Sequence, residues 1–192
     1  MINKLFAMRK YGGMVLLLCL VLANMGYSQG EHNNKTAHET AFHHHSIGVL
    51  LSHSLISQGI SNGDRGWLGV PSWAINYNYR FNENWSLGLH SDIIIEVFVV
   101  EGRGNSVEAL VREYPFSTVI AGTYKPTGKL GFVLGAGAEW ERQESFAMVR
   151  LGLDYGLHLR ELKLEVLFGV NYDILIEAYD TYNIGIGIAK LF

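Results

Sequence analysis

The stretch "HSDIIIE" sets His90, Asp92 and Glu96 on one parity. An imidazole and carboxylates on one face of a strand could hold a divalent metal or work as an acid–base pair. At a rise of about 3.3 Å per residue, His90 and Asp92 stand about 7 Å apart at Cα, and Glu96 lies about 13 Å beyond Asp92, so it would need ligands from other strands. "SHS" (Ser52, His53, Ser54) puts a nucleophile beside a base, the pairing a hydrolase uses. Adjacent strand residues point to opposite faces, so Ser52 and His53 do not naturally meet. "HHH" (His43, His44, His45), with His32 and His38, places five of the eight histidines in one polar stretch that could capture metal loosely. Each sharp reading has a plainer rival: a paired interior charge, a polar strand end, a solvated run. No catalytic residue, metal or cofactor is assigned from the sequence.

These residues ride on strands. Period-2 alternation dominates from about residue 45 and predicts eight of them. They span 45–55, 71–81, 85–100, 107–124, 130–141, 146–159, 162–173 and 181–192. In "SWAINYNYRF", Trp73, Ile75, Tyr77, Tyr79 and Phe81 alternate with Ser72, Ala74, Asn76, Asn78 and Arg80. In the fourth strand the phase changes at Pro115, which predicts a bulge near Tyr114–Pro115. Connections "NEN", "KPTGK" and "RE" are tight. "SQGISNGDRGWLGV", "EGRGNS", "RQES" and "ILIEAYD" are longer.

The front of the chain has a different character. Lys4, Arg9 and Lys10 precede the apolar "MVLLLCLVLA", and small residues follow. This predicts an export signal over residues 1–28, a flexible periplasmic tail over 29–44 and a barrel over 45–192. Cys19 is the only cysteine, so a cleaved chain has no thiol chemistry. Without Lys4, Arg9 and Lys10 the 15 basic residues fall to 12 against 18 acidic ones, a net charge of −6 with His neutral. No basic stripe is left for nucleic acid.

A soluble barrel points its apolar face inward and a membrane barrel points it outward. The polar face here is rich in Gly, at 88, 131, 135, 137, 152, 156, 169, 185 and 187. A narrow eight-stranded interior needs small residues and a solvated wall does not. Aromatic residues mark the ends of the apolar face: Phe81, Trp85, Tyr124 and Phe192 at one rim, Trp73, Trp140, Tyr172 and Tyr182 at the other. The expectation is an all-β, eight-stranded, antiparallel up-and-down transmembrane barrel. Its polar lumen network would contain Arg80, His90, Asp92, Glu96, Arg112, Glu139, Glu141, Arg150, Asp154, His158 and Glu165, with Lys163 and Asp173 on the same face. Trp67 and Tyr179 are expected to make surface-loop contacts.

The strand count, the export signal, the short turns and the terminal "GIGIAKLF" resemble small outer-membrane barrels of the OmpA/OmpX/OmpW type, over about residues 45–192. "GLHSDIIIE" and "REYPF" also look like stretches of uncharacterised barrel proteins from Bacteroidota-type bacteria. The resemblance implies the outer membrane of a Gram-negative cell, with lipid and the outer-membrane insertion machinery as partners. It leaves the extracellular partner open and transfers no activity. A structural or surface-interaction role is expected, with a lipid-modifying enzyme or a small-ligand-binding or transport barrel as alternatives.

Overall fold

The computed structural model describes residues 42–61, 63–101 and 109–192. The expected export signal, most of the expected tail and residues 102–108 lie outside the described residues. The elements are β1 (His45–Ser61), β2 (Asp64–Arg80), β3 (Trp85–Ile94), β4 (Val97–Glu101), β5 (Ala109–Glu113), β6 (Phe116–Tyr124), β7 (Leu130–Trp140), β8 (Phe146–Leu159), β9 (Leu164–Leu175) and β10 (Asp180–Leu191). All ten strands belong to one sheet. Each wall strand pairs antiparallel with its neighbour, in the order β10-β9-β8-β7-β6-β3-β2-β1. The last strand then returns to the first, from Ser46↔Leu191 to Ile56↔Thr181. Eight strands thus close into a barrel, and β4 and β5 stand apart from the wall. Closure is what hydrocarbon demands, because lipid cannot satisfy an open edge.

Alternation decides which side chains meet lipid. Along β6, Phe116, Ile120 and Tyr124 are exposed while Ser117, Val119, Ala121 and Thr123 are buried. Ile120 and Leu134, each 62% exposed, stand in the middle of this outer band. Phe116 and Tyr124 lie eight steps apart, about 26 Å along the strand and about 20 Å along the membrane normal at a tilt of about 40°. Aromatic pairs mark both rims. Trp85 meets Tyr124 at 4.6 Å at one, and Phe116–Trp140 and Tyr172–Tyr182 stack at 6.2 and 4.4 Å at the other. The end carrying residues 42–45 and Phe192 is called the inner end below, and the opposite end the outer end.

The third and fourth predicted strands are each broken in two. The third runs as β3 and then β4, with Ile95–Glu96 between them. The fourth is β5 and then β6, divided at Tyr114–Pro115 where a bulge was expected. Tyr114 adopts a positive φ of 51°, and the Pro115 carbonyl accepts from Ile94 N–H at 3.1 Å. The first long connection is also not a loop. β1 and β2 continue past the rim, pairing as far as Ser61↔Asp64, and Gly63 beside that last pair takes φ 86°. "NG" is the turn signal that the loop reading passed over. An irregularity between Ile56 and Gly59, with Gln58 at φ 62°, bends this extension.

Candidate functional site

Three polar tiers fill the lumen. At the inner end Lys125 reaches back from its turn to Glu165 at 3.0 Å, and His158 Nε2 lies 3.6 Å from the same carboxylate oxygen. Lys125 and Glu165, with Asn76, Asn78, Arg80 and Asp154, border a cavity of about 40 Å³. That holds roughly two or three waters and no organic ligand. Arg80 stands over the Phe42 ring at 5.0 Å, and His44 Nδ1 is 3.0 Å from the Arg80 carbonyl. The last residues of the expected tail are therefore docked on the inner mouth.

The middle tier centres on Arg150, which is 1% exposed. Its guanidinium donates to both oxygens of Asp173, at 2.6 and 2.7 Å, and to Asp92 at 2.7 Å. Asn183 Nδ2 donates to Asp173 at 2.7 Å, and Ser54 Oγ lies 2.5 Å from Asn183 Oδ1 and 2.7 Å from Ser72 Oγ. His90 Nε2 pairs with Asn78 Oδ1 at 2.9 Å. Glycines make the room. A Cβ on Gly88 would collide with Asn78, one on Gly152 with Asn171, and one on Gly156 with Glu165.

The outer tier is a cap. β4 takes the edge of β1 that β10 has left, through Gly59↔Val100. Its partner β5 pairs Phe98 with Arg112. The hairpin buries Phe98 and Val100 in a cluster with Ile56, Val70, Phe146 and Tyr179. Arg112 donates to Glu139 at 2.6 Å and to the Glu144 carbonyl at 2.8 Å, with Glu141 at 3.5 Å. Its guanidinium stands 5.0 Å over the Phe146 ring. Tyr179 O–H donates to the same Glu139 oxygen at 2.5 Å, and its ring meets Phe98 edge-on at 5.9 Å. Burial first, and then the negative charge of Glu139, pushes the Tyr179 phenol well above its ordinary value of 10.0.

The structure brings together most of the predicted polar residues, though in separate tiers and not as one network. Three expectations need correction. Glu96 is exposed in the break between β3 and β4, so it never joins His90 and Asp92. Lys163 is exposed at φ 52° in the turn that follows the 3-10 turn Arg160–Leu162. Tyr179 offers no surface contact, because it is 0% exposed at the centre of the cap. Trp67 is 61% exposed, on a strand instead of a loop, and lies 5.5 Å from the Tyr182 ring. Ser52 shares the inward parity of β1 and His53 is exposed on the other, so the two do not meet. Among the described residues no cluster of three or more His, Cys, Asp or Glu is arranged to hold a metal.

Sequence reading missed the cap, Lys125 and Asn183. One signal was available for the cap: "VFVV" (Val97–Val100) is apolar on both parities, as a strand covered on both faces would be.

No protein-family model matches the chain, and no curated protein matches it. Solved structures do. The outer membrane protein OprG from Pseudomonas aeruginosa aligns at a TM-score of 0.55 and 12% identity, over 78% of this chain and 96% of that one. Neisserial surface protein A (NspA) aligns at 0.50 and 11% identity, over 77% and 97%. The fold is that of a small outer-membrane barrel. Such barrels carry an apolar outer band between aromatic girdles, and the band and rims described above place this chain in the outer membrane of a Gram-negative cell.

Proposed function

We propose that this chain is a structural or surface-interacting barrel that seals its own lumen and works through its outer end. The observation that carries the reading is double closure. A guanidinium–carboxylate tier fills the middle at Arg150, and the β4–β5 cap covers the mouth at Arg112. Between them lies a cavity of about 10 Å³, room for roughly one water. Eight strands leave little more space than side chains fill. A conduit would need both layers to open, and a hydrolase would need Ser52 and His53 on one face.

On this reading the inner end faces the periplasm. Trp67, on the β1–β2 extension, is the exposed aromatic through which an extracellular partner would be held. The terminal strand, with Ile184, Ile186, Ile188 and Phe192 on its lipid face, is the segment the insertion machinery would engage during assembly. Two measurements test the proposal. Purified protein in planar bilayers gives no discrete current steps. A deletion strain loses envelope integrity, measured as detergent sensitivity, without any change in lipid A acylation, and His53→Ala restores it as well as wild type. Current steps from the unaltered protein, or an acyl change that His53→Ala fails to restore, would overturn the reading.

A further inference from the structure

Charge is sorted along the barrel axis. All four lysines among the described residues, Lys125, Lys129, Lys163 and Lys190, lie at the inner end, in the turn between β6 and β7, the turn between β8 and β9, and the tip of β10. The outer end has none. There Glu96, Glu113, Glu144 and Glu177 are exposed, and of the exposed arginines Arg65 is already paired with Glu101 at 3.0 Å.

Lys125 is spent inward on Glu165, but the other three face outward. Lys129 and Lys163 are exposed beside the exposed Leu130 and Leu162. Lys190 shares the lipid-facing parity of Ile186 and Ile188 and donates to the Leu162 carbonyl at 3.2 Å. The inner aromatic rim of Trp85, Tyr124 and Phe192 sets the headgroup level nearby. A lysine there lays its stem on apolar surface and offers its ammonium to the phosphate layer. The field is felt by a bystander: burial first, then Lys163, Arg80 and Lys190, lower the pKa of His43. Exposed Glu83 and Glu161 temper the field without removing it.

We propose that Lys129, Lys163 and Lys190 form a collar that binds the phosphate of anionic glycerophospholipids in the periplasmic leaflet. This rests on the inner end facing the periplasm. The acidic outer end is unsuited to phosphate, so the barrel is electrically matched to one leaflet. Each surface lysine enriches anionic lipid roughly fivefold, and sharing among mobile headgroups lowers the yield per residue.

The test uses the whole barrel refolded into vesicles, with Trp67, Trp73 and Trp140 replaced by Phe so that Trp85 reports on the inner rim. Brominated phosphatidylglycerol is compared with brominated phosphatidylcholine as quencher, each diluted in the neutral lipid. Stronger quenching by the anionic lipid, by about two- to fivefold in apparent affinity, is the expected result. It should fall to parity in the Lys129→Gln/Lys163→Gln/Lys190→Gln variant and persist in the matching Lys→Arg variant. Equal quenching in the parent, or preference retained by the Gln variant, overturns the collar. Loss of preference on adding soluble glycerol phosphate at low salt also overturns it, by making the site one for free anions. Failure of either lipid to quench Trp85 would instead count against the membrane band itself.

Discussion

Arg150 shows what a single side chain can cost in this interior. Its three hydrogen bonds tie β8 to its neighbour β9 through Asp173 and, across the lumen, to β3 through Asp92. Arg150→Leu keeps the bulk and leaves two carboxylates facing each other without a cation. Removing one partner of a buried pair costs about 3–5 kcal/mol, and urea titration of the barrel refolded into vesicles would measure it. Arg150→Leu with Asp92→Leu and Asp173→Leu should recover most of the loss, because apolar groups of similar volume tolerate such a site. Tyr179 supplies a pH test. The unfolded chain ionises this phenol near pH 10, whereas in the folded cap it stays protonated to higher pH. Above about pH 10 the unfolded state therefore binds fewer protons than the native one, and stability falls as pH rises toward the folded value. Below pH 10 that contribution is present in full. Tyr179→Phe should be less stable at neutral pH, since Glu139 loses a donor, and should show a shallower decline above pH 10. A decline as steep as the parent's would assign it to other groups.

The β4–β5 hairpin is an element with its own logic. Tyr114–Pro115 lets it leave the wall, Gly59↔Val100 gives it a place on β1, and Arg112 latches it to Glu139. It closes the mouth independently of the Arg150 tier, so the two layers act in series. Arg112→Ala or Arg150→Ala alone should leave planar bilayers silent, whereas the double variant should give current steps. Conduction from either single variant would mean that the other layer is not a seal. The wall strands were legible in the sequence because hydrocarbon outside and crowding inside impose strict alternation. The hairpin was not, because a segment that leaves the wall is no longer held to one phase. Residues 85–100 and 107–124 therefore read as two long strands where there are four short ones. The polar tiers were legible by parity alone. Parity puts Arg150 and Asp154 on one face, but it cannot say that Asp92, three strands away from β8, completes the tier around Arg150. Lys125 was missed because a turn residue belongs to neither face, and Tyr179 was misplaced because an aromatic in a connection can fold inward as easily as outward.

For the molecule as a whole, stability depends on matching depth to chemistry. The exterior is a cylinder of Leu, Ile and Val between two aromatic rims, and the interior holds the charges that this cylinder cannot. Depth can be read residue by residue along β6, whose ends carry Phe116 and Tyr124 and whose centre is Ile120. Ile120 is 62% exposed on the outward face, so substitution there changes what meets the surroundings, with little repacking of neighbours. An arginine on the lipid face costs about 2–4 kcal/mol at the midplane and about 0–1 near an interface. Ile120→Arg should therefore lower the unfolding free energy in vesicles by about 2–4 kcal/mol, whereas Tyr124→Arg at the inner rim should cost about 0–1. A soluble barrel of the opposite polarity would give a different pattern. There Ile120 and Tyr124 would both point into an apolar interior, and an unpaired Arg would be strongly destabilising at both positions. The gradient between Ile120 and Tyr124, more than either value alone, tests which way this wall faces.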